Sequence, residues 1–358
     1  MKILYLYAGK RQGKLIGVIN RDYPDSALYG INYLPEFGIK ADFRELGDHF
    51  LGRLLGRWLP FNVNHALMYF TARRYDIVFG PALLPLMLLK KIFGGRTRYV
   101  FLNISLGRML RVNKKHHFVR RVMISLLKEF HEIVCLALFQ KEELEREFPM
   151  LQGKLSFVPL SVDTLYHVPS PLSVERVGVL AVGKDNGRDY VSFVETARLV
   201  PNARFTIVAT PRNLVGVKDI PKNVGVFLGL PMDEVKKLYE SAEVAVIPTK
   251  SDDFFDGADC SGQTVLLEYM ASGLPIVATA RKSLKGYIEH EKDALIVPPE
   301  NAEAMAAAIT CLMNDKPFAG RLALAAREKA VREFSSKRMA LRLALLFKRL
   351  IPREYTVS

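Results

Sequence analysis

Short β-branched and aromatic runs alternate along this chain with longer stretches whose apolar residues recur at helical spacing. That rhythm marks βαβ units built on a parallel sheet. In the first half it predicts strands at 2–7, 76–80, 98–104, 132–138 and 155–159. Helical patterns lie between them at about 26–37, 82–93, 108–129 and 140–148. Residues 161–175 hold Pro169 and Pro171 without a clear period and read as a linker. The pattern then restarts with a glycine-ended strand at 177–183 and a helix at 188–200. Strands follow at 204–209, 224–228, 243–247, 275–279 and 294–297, with helices near 231–241 and 263–272. From Ala302 onward the pattern is almost wholly helical. The expectation is two successive α/β domains, 1–165 and 166–335. A last helix in 336–358 carries Leu341, Leu345 and Leu346 on one side and is expected to pack back on the first domain.

A length of 358 residues suits two cores better than one. The three cysteines, Cys135, Cys260 and Cys311, are odd in number and far apart, which fits a reducing cytosol. The opening apolar run has no cleavage site, so no secretory leader is expected. The longest later run, 77–89, ends at Lys90-Lys91 and falls short of the ~20 residues a spanning helix needs. The net charge of +14 is uneven: residues 1–165 hold 25 Lys and Arg against 14 Asp and Glu, and the remainder 26 against 23. The first half therefore carries most of the positive field and suits a polyanionic partner, unless the charge serves solubility alone. Nucleic acid is the weakest such partner. Apart from Phe118 and Trp58 the basic clusters lack interleaved aromatics, and no known reader motif is present.

Glu268 is the only charged residue between Cys260 and Ala280. A carboxylate in so apolar a stretch needs hydrogen-bond donors. A helix starting near Gln263 would point its free N–H groups and positive dipole end out of Ser261-Gly262-Gln263, a geometry suited to phosphate. Glu268 lies one turn from Thr264 on the same face, where it could meet a hydroxyl-rich ligand. A glutamate capped by backbone or arginine is the alternative. A second constellation, Gly183-Lys184-Asp185-Asn186-Gly187-Arg188-Asp189, follows a strand and opens a helix. Its cations could stabilise a departing diphosphate, or it could be an Asx-rich turn. No Asp-x-Asp, HExxH or paired-cysteine motif is present, so no metal and no cofactor is expected.

The segment 260–280 resembles the signature of glycosyltransferase family 4, in which two glutamates eight positions apart flank a glycine-containing loop, the second of them within "LLEAMA-GLPVVAT". The likeness runs on through Ala294-Leu295-Ile296-Val297-Pro298-Pro299. It includes Phe157-Val158-Pro159-Leu160-Ser161-Val162-Asp163, Asn223–Gly229 and Ala242–Pro248, and so spans about 155–335. Residues 1–150 share only the α/β rhythm. The resemblance implies a GT-B fold, two Rossmann-like domains facing an interdomain cleft. It also implies retaining transfer from a nucleoside-diphosphate sugar to a saccharide or lipid-linked acceptor in cell-surface glycan synthesis. By it Glu268 binds the donor ribose, and Lys184 and Arg188 neutralise the diphosphate. Gly183, Gly229, Leu230, Cys260, Ser261, Gly262, Gln263 and Thr264 complete the donor site, with Gly9 and Gly13 of the first loop either facing the phosphates or marking a simple turn. The sequence departs from the pattern at Cys260, which stands where the family has its first glutamate; Asp259 is a substitute one position away. That departure keeps a second reading open, a GT-B relative with lost or changed transfer chemistry, such as a nucleotide-sugar epimerase or an inactive partner.

Several relatives carry a histidine after an N-terminal strand, and Asn103 takes that place here, so no catalytic histidine carries over. Two basic stretches mix cations with apolar residues at helical spacing. One holds Arg53, Arg57 and Trp58; the other holds Arg111, Lys114, Lys115, Arg120 and Arg121. They suit an anionic membrane surface, as membrane-associated relatives imply, or are ordinary helices with basic outer faces. A cytoplasmic protein peripheral to the inner face of the plasma membrane is the resulting expectation.

Overall fold

The computed structural model describes residues 1–9, 11–45, 63–171, 173–254 and 259–351, with backbone alone for 63–67. The chain divides into two compact units. One comprises Met1–Asn20, Asp25–Pro159 and Ser336–Ser358; the other comprises Arg21–Pro24 and Leu160–Ser335.

The first unit is built on a parallel sheet of β1 (Lys2–Tyr7), β2 (Lys40–Glu45), β3 (Ile77–Gly80), β4 (Arg98–Asn103), β5 (Glu132–Cys135) and β6 (Leu155–Phe157). Its spatial order is β2-β1-β3-β4-β5-β6. The second unit holds β7 (Val179–Val182), β8 (Phe205–Ala209), β9 (Val224–Leu228), β10 (Val244–Ile247), β11 (Ile276–Thr279) and β12 (Leu295–Val297). These lie in the order β12-β11-β10-β7-β8-β9, also parallel throughout. This is the doubly wound Rossmann order, and its direction reverses between β7 and β10. Strands β3, β5, β7, β10 and β11 are buried at every position. Helices cover both faces of such strands, so they read as unbroken apolar runs.

Five features differ from the sequence expectation. Strand β2 was not anticipated: it pairs with β1 from Lys2↔Lys40 to Tyr7↔Glu45, and its charged residues alternate with half-buried ones. Charge along an outer strand guards an open edge and hides the apolar signal. Helices Gln12–Ile19 and Val63–Ala72 were also unforeseen. The helix expected at 26–37 is two 3-10 turns, Asp25–Leu28 and Ile31–Phe37, parted at Gly30. Gly30 has φ 76°, and a Cβ there would lie 2.9 Å from that of Ala340. The long helix expected at 108–129 is two, Leu106–Val112 and His117–Leu127. Asn113 ends the first by donating from Nδ2 to the Met109 carbonyl (2.9 Å), a local bond that competes with helix continuation.

The final helix, Ser336–Leu350, is part of the first unit. Phe347 packs its ring against Phe79 and Tyr5, at 5.6 and 6.5 Å between centroids. Lys337 pairs with Glu36 (2.7 Å), and Arg349 with the buried Glu132 (2.8 Å).

Candidate active site

In a doubly wound sheet, ligands bind beyond the carboxyl ends of the strands where the strand order reverses. Here that point lies between the ends of β7 and β10, and the residues after both strands converge on it. After β7 the chain turns through residues 183–189. The Arg188 side chain folds back over Gly183, where a Cβ would fall 2.0 Å from Nε, so only glycine fits. Arg188 bridges to Thr249 beyond β10. Its Nε pairs with Asp185 Oδ2 at 2.9 Å, and only 1% of the side chain is exposed. Ser261 donates its hydroxyl to the other Asp185 oxygen. A Cβ on Gly187 would meet that hydroxyl at 2.6 Å, so the turn and residues 259–262 interlock. Burial alone raises the Asp185 pKa. Arg188, the Ser261 hydroxyl and the Gly187 N–H outweigh it and hold the carboxyl below its usual value.

The helix Gln263–Ala271 starts at Gly262, whose φ of 84° is left-handed. Among the described residues no side chain caps it and its first turn carries no acid; the Gln263 N–H turns back to the Cys260 carbonyl (3.3 Å), and the positive end of the helix suits an anion. A Cβ on Gly262 would lie 2.8 Å from Ile247 Cγ2 and 3.6 Å from Arg188 Nη1. That Nη1 is buried and has no partner among the described residues. A donor left unsatisfied beneath a helix tip calls for an explanation, and an anionic ligand is one. Gln263 is tied down by Nε2, which donates to the Ser283 carbonyl (2.7 Å), while Thr264 is exposed and Cys260 half-buried.

Glu268 lies in the second turn of this helix with 6% of its surface open. Tyr239, from the helix Met232–Ser241, donates its hydroxyl to Oε2 at 2.7 Å. Burial pushes the Glu268 carboxyl up to about 7, against the opposing pull of the Tyr239 bond and the Arg188 and Lys184 charges. Lys184 is exposed, and its carbonyl accepts from Arg212 Nη2 (2.7 Å). The next residue along the helix, Tyr269, accepts the Val182 N–H on its hydroxyl (2.9 Å) and so pins the helix to the end of β7. Lys184, Arg188, Gly183, Ser261, Gly262 and Glu268 thus gather at one point of the second unit. Gly229 and Leu230 stand two strands away, after β9, where Gly229 has φ 69°.

Three residues of this group escaped the sequence reading as partners: Asp185, Thr249 and Tyr239. Only Asp185 left a trace, as the acid three positions before Arg188. Asp252 accepts from Arg281 Nε (2.7 Å) and from the Lys282 N–H (2.9 Å).

In the first unit Gly9 and Gly13 flank a helix tip that is already occupied. The Arg11 and Gln12 N–H groups both donate to the Glu45 carboxylate at the end of β2. The chain's own anion thus takes the place expected for donor phosphate. Asn103 is a structural cap: its Oδ1 accepts the Leu106 N–H (2.9 Å), and its Nδ2 faces Cys135 Sγ (3.9 Å). Of the basic stretches, Arg53, Arg57 and Trp58 lie outside the described residues. Arg111, Lys114, Lys115 and Arg121 are exposed, with Arg120 half-buried over the Phe148 ring at 5.6 Å. Phe118 stands among them 79% exposed. No helix among the described residues is long and apolar enough to cross a membrane.

Residues 177–315 match the family described as glycosyl transferases, group 1. The amylovoran biosynthesis glycosyltransferase AmsK of Erwinia amylovora is 30% identical over 122 residues, covering 34% of this chain and 29% of that protein. The putative colanic acid biosynthesis glycosyltransferase WcaL of Escherichia coli is 32% identical over 127 residues, again 34% of this chain and 29% of that protein. These alignments therefore span less than a third of either relative's length. Across 98% of the chain the fold is similar to a sucrose-phosphate synthase from Thermosynechococcus elongatus, with TM-score 0.74, 17% identity and 99% of that chain covered. It is also similar to Anabaena HepE in complex with UDP-glucose, with TM-score 0.67, 16% identity, and 98% and 100% covered. The switch-point geometry and the whole-chain likeness agree on a GT-B fold of two Rossmann-like domains, and residues 177–315 of the second unit match the group 1 glycosyl transferases.

Proposed function

We propose that the chain is a retaining glycosyltransferase that moves a sugar from a nucleoside-diphosphate donor to a saccharide or lipid-linked acceptor in cell-surface glycan synthesis. The observation that carries this reading is the uncapped start of the helix Gln263–Ala271, with the unpartnered Arg188 Nη1 beneath it and Glu268 one turn on. A diphosphate at the helix tip would meet open N–H groups and fixed positive charge, worth most where the leaving group gains negative charge in the transition state. Lys184 supplies a mobile cation from solvent, and Arg188 a fixed one from below. The Glu268 carboxylate accepts hydroxyls of the donor ribose. With retained configuration, the departing diphosphate itself takes the acceptor proton, and the protein need supply no nucleophile.

The relatives' names point the same way. Two act in amylovoran and colanic acid synthesis, and a structural neighbour holds UDP-glucose. In this reading no metal or cofactor takes part. The exposed basic helices of the first unit, with Phe118, bring the enzyme to the anionic inner face of the plasma membrane. The screen that tests the donor assignment is a thermal shift against UDP, GDP, ADP and CMP. One of them should stabilise the wild type, and Glu268→Ala should weaken that nucleotide about tenfold or more. Equal affinity in the variant would remove the ribose role.

Cys260 favours a second reading, since a thiol replaces the carboxylate that the family places near the reacting carbon. Tight nucleotide binding without sugar transfer or donor hydrolysis would select an epimerase-like or inactive relative instead.

A further inference from the structure

Tyr239 is wholly buried on the helix Met232–Ser241, and its phenol is fixed on two sides. Its ring meets the edge of Tyr269 at 5.2 Å and 80°. On the other side it lies 5.8 Å from the imidazole of His167, inclined at 38°. Tyr269 is itself held by the Val182 N–H. His167 is anchored through its carbonyl, which accepts from Arg327 Nη1 (2.9 Å). Arg327 also grips the carbonyls of Ala271 (2.6 Å) and Thr164 (3.0 Å), tying this segment to the end of the Glu268 helix. Among the described residues neither nitrogen of the buried His167 has a partner, and burial holds the imidazole down at about 4, so the ring against Tyr239 is uncharged at neutral pH. Packed between the two rings, the hydroxyl has one acceptor, Glu268 Oε2 at 2.7 Å.

We propose that Tyr239 is a positioning residue for the nucleotide donor: by donating to Oε2 it fixes the carboxylate plane of Glu268 and leaves Oε1 as the oxygen offered to a ribose hydroxyl. The inference rests on the reading of Glu268 given above and extends it to a residue that touches no substrate. A hydrogen bond to an ionised acid is among the stronger ones in proteins, and it favours the charged form. Tyr239 therefore acts twice, orienting the acceptor and keeping it anionic in a buried place. Among the described residues the other groups facing Glu268 are Lys184 and Arg188 from the turn after β7, Tyr166 from the segment after β6, and Tyr269 on its own helix. Of these, the two cations also favour the anion, and Tyr239 alone has its hydroxyl on the carboxylate.

The test titrates UDP, GDP and ADP by calorimetry into the full chain between pH 6 and 8.5, as wild type, Tyr239→Phe and Glu268→Ala. Phenylalanine keeps the ring between His167 and Tyr269 and removes only the hydroxyl. Affinity for the bound nucleotide should fall about tenfold in Tyr239→Phe at pH 7. The wild type should lose affinity as the pH drops through about 7, and in Tyr239→Phe that midpoint should move to higher pH. With a donor sugar, KM should rise and kcat change little. A merely structural tyrosine would lower the melting temperature and leave the midpoint where it was. Incorporating 3-fluorotyrosine at position 239 keeps the fold and strengthens the donor, so it should move the midpoint the other way. If Glu268→Ala is weakened while both Tyr239 substitutions keep the wild-type midpoint, the inference is overturned and the donor reading stands. If Glu268→Ala binds like wild type, or none of the three nucleotides binds, the donor reading itself falls.

Discussion

Glu268 is a buried acid whose ionisation is coupled to the stability of the second unit. Its pKa is pushed up to about 7 from an ordinary 4.5, so the folded state binds the proton more tightly than the unfolded chain. The sign follows from linkage. The contribution of Glu268 is most favourable below about pH 4.5 and is lost as the pH rises to about 7, at roughly 1.4 kcal/mol per pKa unit of difference. Glu268→Gln, which resembles the protonated acid, should melt higher than wild type at pH 8 and close to it at pH 5. Differential scanning calorimetry at the two values checks this; a gap that does not change with pH would show that the carboxyl titrates as it does in water. A buried acid with a raised pKa is a feature often found at binding sites.

At the scale of elements, two helices decide the chemistry, and both are exceptions to helix rules. The helix Gln263–Ala271 begins without a capping side chain. An uncapped end costs about 1 kcal/mol, which the diphosphate of the proposed donor would offset. The helix His117–Leu127 shows water a face on which Arg121, His117 and Phe118 stand together, with Lys114 and Lys115 just before it. An exposed aromatic among cations fits a headgroup layer, each cation adding about 1 kcal/mol near an anionic surface. Lys114→Gln, Lys115→Gln and Arg121→Gln together should lower vesicle binding by about two orders of magnitude, and Phe118→Ser should lower it further. Flotation with vesicles containing phosphatidylglycerol measures the loss. Equal recovery on neutral phosphatidylcholine vesicles would speak against the charge-based attachment.

At the scale of the molecule, the first unit is assembled from both ends of the chain. The helix Ser336–Leu350 buries Met339, Leu343, Leu346 and Phe347 in it, with the Ser336 hydroxyl on the buried Asp25. Phe347→Ala removes a ring packed on Tyr5 and Phe79 and should cost about 3–5 kcal/mol. The loss should appear in the first unit alone. Calorimetry of the variant should show one transition moved down, while nucleotide-dependent stabilisation in the second unit persists. A uniform downward shift of all melting would show instead that the chain unfolds as one cooperative body.

The two parallel sheets were legible in the amino-acid sequence because strands covered on both faces need continuous apolar runs, and a doubly wound unit repeats them at regular intervals. The carboxylate at 268 was legible for the opposite reason, a lone charge where none is cheap. Strand β2, the break at Gly30 and the split at Asn113 were not, since each depends on a neighbour distant in sequence or on a local side-chain bond that periodicity does not record. The partners of the site lay equally out of reach. That Tyr239 meets Glu268 and that Glu45 fills the first helix tip are contacts across 29 and 34 positions. Sequence alone determined which groups were available and the rhythm of the sheets. Tertiary structure decided which buried polar atoms found partners and which, like Arg188 Nη1, were left facing a helix end, because hydrogen bonding is settled by distance in space and not by order along the chain.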